Sequence, residues 1–164
     1  DLARRCQVLS RYLPILEKSQ GLAHTTFWFG GMFNPEAFIT ATRQHVAAQN
    51  GWSLDDLDLA LFVGHTVAES SQDVVVEGLS LEGAVWGDRG LTTTDDLQCM
   101  LPTSRMSWQL KSARGAEEAV LRLPLYRSSR RDDLMVEIDI PCPASVDKNV
   151  WAKRATAVIA WTLD

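Results

Sequence analysis

Residues 27–54 read FWFGGMFNPEAFITATRQHVAAQNGWSL, and the rest of the chain is read outward from this stretch. An aromatic apolar run ends at Gly30-Gly31, where two missing Cβ atoms allow a sharp bend or a close backbone contact. Asn34 is placed to cap a helix, because its side-chain oxygen accepts a backbone N–H that the first turn leaves unpaired. Pro35 suits the first helical position, where its missing N–H is no loss, and Glu36 sets negative charge against the positive helix end. The spacing predicts a helix to about Gln49, closed by Asn50-Gly51, residue types that tolerate the left-handed conformation of a C-cap. Phe38, Thr42, His45 and Gln49 share one side of it, and Phe38, Ile39, Ala41 and Val46 supply the apolar surface.

On the N-terminal side, Leu2, Cys6, Leu9, Leu13 and Leu16 keep helical spacing, which predicts a helix over Leu2–Lys18 with a kink at Pro14. On the C-terminal side the period changes to two. Leu57, Leu59, Leu61 and Val63 alternate with Asp58, Ala60 and Phe62, the pattern of a half-buried strand. Val74–Trp86 reads as one long strand with a bulge at Glu77-Gly78 and a bend at Gly83, followed by a tight turn at residues 87–90. Leu91–Leu101 reads as a connection with a short helical turn. Further strands follow around Met106, Trp108 and Leu110, over Ala119–Tyr126, over residues 134–140 and over the last eight residues. Pro124 is expected at an edge or bulge because it cannot donate to a ladder. Residues 145–153 form a crossover that turns Trp151 inward.

The expected fold is α+β: N-terminal helices, then an antiparallel six-stranded β-barrel or strongly curled sheet, since closure removes exposed edges. Residues 1–54 would form a helical subdomain and residues 55–164 a barrel-like one. The 164 residues, 46% of them hydrophobic, are enough to bury a sizeable core without staples. The net charge of −5 argues against nucleic acid, and no apolar run approaches the ~20 residues of a membrane span. Cys6, Cys99 and Cys142 are odd in number and far apart, which predicts free thiols in a reducing, cytoplasmic setting. The chain begins at Asp1 within an apparent helix and without a signal-peptide pattern, so a segment of a longer protein is expected.

The run GGMFNPEAFITATRQHVAAQNGWSL resembles the signature near the end of dynein heavy chains, where a Gly-rich aromatic turn precedes Pro, an Ala-Phe-Ile-Thr run and a polar helix. TATRQ followed by NGWSL is similar to the cytoplasmic branch rather than the axonemal one. Fainter similarity follows in GLSLEG at Gly78–Gly83, in LPLYRSSRR at Leu123–Arg131 and in the final strand, so that the likeness spans roughly residues 22–164. AVWGD at Ala84–Asp88 departs from the axonemal pattern.

The resemblance implies a non-catalytic C-terminal module that packs on the AAA+ ring of its own heavy chain, with ATP and Mg bound in that ring and no cofactor here. It also implies a parent motor moving toward microtubule minus ends, accessory subunits as further partners, and a cytoplasmic, cytoskeleton-associated location. Gly30, Gly31, Phe33, Pro35, Phe38, Thr42 and Arg43 match the signature and are candidate packing and docking residues. Trp28 and Trp52, which bracket the helix, are candidate interface residues on their own composition.

The residues carry little that reads as chemistry. There is no GxxxxGK followed by Ser or Thr, and Gly30-Gly31 lacks the lysine of a phosphate cradle. His24, His45 and His65 stand about twenty residues apart, unlike paired zinc ligands. No nucleophile elbow is present, and Asp55, Asp56, Asp58, Asp95 and Asp96 read as solvated charge. Ser128-Ser129 beside Arg130-Arg131 reads as a basic hairpin turn or a kinase-recognised loop. A stand-alone ligand-binding barrel and an unrecognised hydrolase are the competing functional classes.

Overall fold

In the computed structural model of the chain, residues 25–114, 119–143 and 146–160 are described. The helix expected over Leu2–Lys18 lies outside them. The described part opens with strand β1 (Thr26–Trp28) and a 3-10 turn at Phe29–Gly31. Helix α1 (Pro35–Asn50) follows, and its ends are those the side chains dictate. The Asn34 side chain accepts from the Ala37 amide at 3.0 Å, Pro35 holds the first position, and Gly51 closes the helix at φ 67°. Pro35, Ile39, Val46 and Ala47 are buried, whereas Ala41, His45 and Gln49 face solvent. The buried face is therefore rotated away from the side that carries His45.

After a 3-10 turn at Leu54–Asp56 come β2 (Leu57–Val63), β3 (Val74–Glu77), β4 (Leu79–Glu82), β5 (Val85–Gly87), β6 (Gly90–Thr92), β7 (Gln98–Met100) and β8 (Ser104–Leu110). Then come β9 (Val120–Tyr126), β10 (Leu134–Pro141), the short helix α2 (Lys148–Lys153) and β11 (Ala157–Ala160). Nine strands form one sheet in the order β1-β3-β8-β2-β10-β9-β11-β4-β7, and β5 pairs with β6 apart from it.

This overturns the antiparallel six-stranded barrel. The sheet is mixed, with parallel pairs at β1/β3, β2/β10 and β9/β11. Parallel neighbours require a crossover, and β10–α2–β11 supplies one by carrying the polypeptide across β9. The long strand expected over residues 74–86 is broken by Gly78 (φ 85°) and Gly83 (φ 83°) into β3, β4 and β5. Gly78 does more than bulge the strand: the segments on either side of it stand second and eighth in the sheet order. Residues 90–100 hold two short strands, β6 and β7, in place of a helical turn. The final strand is described only to Ala160, and all four of its residues are buried, so both of its faces are covered.

Alternation identifies the inward side chains of β2, β8, β9 and β10, although outward residues such as Ala60, Arg105 and Asp139 are buried as well. Leu57, Leu59 and Leu61 stand opposite Leu110, Trp108 and Met106, and Leu121 and Leu123 opposite Ile140 and Ile138. These inward residues join Phe27, Phe29, Ile39, Val46 and Trp151 in one core. A fully buried Leu or Ile contributes about 1.5–3 kcal/mol, so this inner face carries the fold. Pro124 lies within β9, but β11 pairs only with Leu125 and Tyr126, so at residue 124 the strand has β10 alone as a neighbour.

Candidate functional site

The nine residues singled out on the signature divide into three groups. The first fastens α1 to the sheet. The Thr42 hydroxyl donates to the Ile39 carbonyl at 2.7 Å and accepts the Trp108 indole N–H at 2.9 Å. Arg43 donates from Nε to the Leu54 carbonyl at 3.0 Å and from its terminal nitrogen to the same oxygen, while its guanidinium lies 5.5 Å from the Trp108 ring centre. One tryptophan on β8 thus receives two successive helix residues, and the turn after the helix is bound by the same arginine. Trp52 is half-buried against this core, and its amide donates to Ala47 at 3.0 Å.

The second group seats the aromatic turn. Phe38 packs 5.0 Å from Phe27 and edge-on 6.0 Å from Phe29, distances at which ring pairs are attractive. Gly30, Gly31 and Pro35 are buried. A Cβ on Gly78 would lie 2.5 Å from Trp28 Cδ1 and 3.3 Å from the Gly30 amide nitrogen, so only glycine lets the aromatic turn lie against the β3–β4 junction. Trp28 is seated there rather than displayed. The third group is Phe33 alone, 61% exposed at the approach to α1. Eight of the nine residues are engaged inside the domain, and Phe33 is the one offered outward.

Two charge clusters on the outer face have no counterpart in the sequence reading. Asp139, only 2% exposed, accepts from Arg114 at 2.6 Å and from Arg122 at 2.8 and 3.0 Å, and Arg122 also reaches Asp58 at 3.1 Å. Burial pushes the Asp139 carboxyl up, but hydrogen bonds from Arg122 and Arg114 outweigh it and hold the group below the ordinary carboxylate range. The hydrogen bond to Asp139 in turn raises Arg122 above its ordinary value. The second cluster is Asp73 with Arg105, both buried and 3.0 Å apart. Asp73 Oδ2 also accepts the amides of Glu69 and Ser70, and Arg105 lies 4.0 Å over the Phe62 ring. Burial raises the Asp73 carboxyl, and bonds from Ser107, the Glu69 amide and Arg105 bring it below its ordinary value. Strand alternation puts Asp58 and Asp139 correctly on the polar face; the arginines that close over Asp139 come from β9 and from the end of the β8 connection, a pairing no local pattern encodes.

Among the described residues no group of three or more His, Cys, Asp or Glu could hold a metal ion. None of their helices is long and apolar enough to cross a membrane. An open groove beside β9 and α2, about 630 Å³, is lined by Arg114, Arg122, Arg131, Lys148 and Asp139 together with the apolar Leu121 and Leu123.

The family of C-terminal domains of the dynein heavy chain matches residues 1–160. This protein belongs to that family. Among relatives, it is 35% identical over its whole length to the cytoplasmic dynein heavy chain of Dictyostelium discoideum and 30% identical over 99% of its length to that of Drosophila melanogaster. The mouse dynein axonemal heavy chain 5 is 29% identical over 96% of the sequence. The sequence spans only 3% or 4% of the length of these relatives. In this dynein domain, then, most of the signature's residues work inward, fastening the helix and the aromatic turn to the sheet.

Proposed function

We propose that this dynein C-terminal domain is a non-catalytic brace that packs on the AAA+ ring of its own heavy chain. In that position it tunes how ATP hydrolysis in the ring is coupled to minus-end-directed movement along cytoplasmic microtubules. The observation that carries the reading is the clamp of Thr42 and Arg43 on Trp108, which makes α1 and the sheet one stiff unit. A stiff unit that binds one ring conformation better than another shifts the balance between them, and only a difference in affinity does so. Phe33 supplies an exposed aromatic contact of the kind enriched at interfaces.

In this reading ATP and Mg are held by the ring, and the domain holds neither. Calorimetric titration of the purified domain with ATP-Mg is expected to give no binding isotherm at micromolar concentrations. Saturable micromolar affinity would contradict the reading.

A further inference from the structure

The turn between β9 and β10 reads Arg127-Ser128-Ser129-Arg130-Arg131-Asp132-Asp133, with an exposed serine flanked in sequence by three arginines. The Arg131 amide donates to the Ser128 carbonyl at 3.1 Å, which puts Ser129 at the first central position of a β-turn. Ser129 is exposed, and its hydroxyl has no partner among the described residues. Arg127 is held by carboxylates alone: Asp133 at 2.9 Å from Nε and Glu36, in the first turn of α1, at 3.8 Å. The Asp133 oxygen is close but poorly aligned, since the buried Arg127 Nε finds no hydrogen-bond acceptor among the described residues. Arg131 is tied to Glu82 at 3.3 Å. The turn therefore contains a hydroxyl without a partner among the described residues, a buried arginine donor whose near carboxylate is misaligned, and a second carboxylate on α1 that is only distantly placed.

We propose that Ser129 is a phosphorylation site for an arginine-directed Ser/Thr kinase, and that the phosphate takes Arg127 from Asp133 and Glu36. The kinase transfers the γ-phosphoryl group of ATP: the Ser129 Oγ–P bond forms, the bond from phosphorus to the ADP oxygen breaks, and the hydroxyl proton passes to the kinase's catalytic carboxylate. Arg127 two residues before and Arg130 and Arg131 just after the acceptor give the charge pattern that an arginine-directed kinase selects by complementary acidic groups. Two backbone hydrogen bonds close the turn, Arg127 to Asp133 and Arg131 to Ser128, so it opens for the kinase without disturbing the core ladder. A phosphoserine carries about −1.5 to −2 charges and three strong acceptor oxygens. It outcompetes single carboxylates for a guanidinium, and the link from the turn to α1 through Glu36 is released. This site stands independently of the motor reading.

The test incubates the purified domain with ATP-Mg and an arginine-directed kinase and locates phosphate by fragmentation mass spectrometry. One phosphoryl group is expected at Ser129, retained in Ser128→Ala and lost in Ser129→Ala, with circular dichroism showing both variants folded. In the phosphorylated protein the NMR signal of the Arg127 Nε–H shifts downfield as the donor gains its acceptor. No transfer, transfer to another residue, or modification of Ser129 with the Arg127 signal unmoved would each overturn the proposal.

Discussion

Thr42 shows how a single hydroxyl can decide where a helix sits. It satisfies the indole N–H of Trp108, which is buried, and its own proton goes back to the Ile39 carbonyl. Thr42→Val keeps the shape and removes both bonds, leaving a buried donor unpaired at about 1–3 kcal/mol. The expected loss of stability in chemical denaturation is about 1–2 kcal/mol, because the site is only partly buried, while Thr42→Ser stays near the parent protein. Equal stability of the two variants would show that the bond to Trp108 contributes nothing. At this scale the sequence is half legible. Asn34, Pro35 and Gly51 act within one turn of themselves, so their roles follow from local rules. Thr42 and Arg43 meet a residue about sixty-five positions away, and nothing in TATRQ distinguishes a clamp from an exposed docking residue. Gly78 is the same case: its turn can be read from its type, but its contact with Trp28 cannot.

At the scale of elements, strands are legible as alternation and illegible as partners. Period two fixes which side chains point inward, and the cross-strand pairs of Leu59 with Trp108 and Leu123 with Ile138 follow it. It carries no information on whether the neighbour runs parallel, which is why β9/β11 and β2/β10 cannot be read from it. The Asp139 cluster holds this part of the sheet together across β2, β9 and β10. Its contribution depends on pH with a definite sign. Asp139 and Asp73 both titrate below their ordinary value in the folded protein. The stability they lend is complete above the unfolded value of about 3.9 and is lost as pH falls through the lower folded values. Thermal unfolding followed from neutral pH downward should therefore show a plateau that gives way below about pH 4. Asp139→Asn lowers stability at neutral pH by about 2–3 kcal/mol, less than the roughly 3–5 kcal/mol for a fully buried pair because Arg122 is half exposed. It also flattens the acid-limb slope. An unchanged acid limb in Asp139→Asn would show that this carboxylate is not the group being titrated.

Over the whole molecule, the family is legible from one stretch and the architecture is not. The signature run concentrates the turn, cap and helix residues on which the resemblance is read. The sheet order depends on Gly78 sending β3 and β4 to distant places, an outcome that the sequence around residue 78 presents only as a bulge. The proposed brace rests on the stiffness this produces: a helix clamped to the sheet, a packed inner face, and ion pairs fixing the outer one. The most direct measurement compares an intact heavy chain with one truncated before this domain, recording ATP turnover and microtubule gliding velocity on the same preparations. The account predicts that the truncated motor still hydrolyses ATP but with an altered ratio of velocity to turnover. The same ratio in both motors would contradict it.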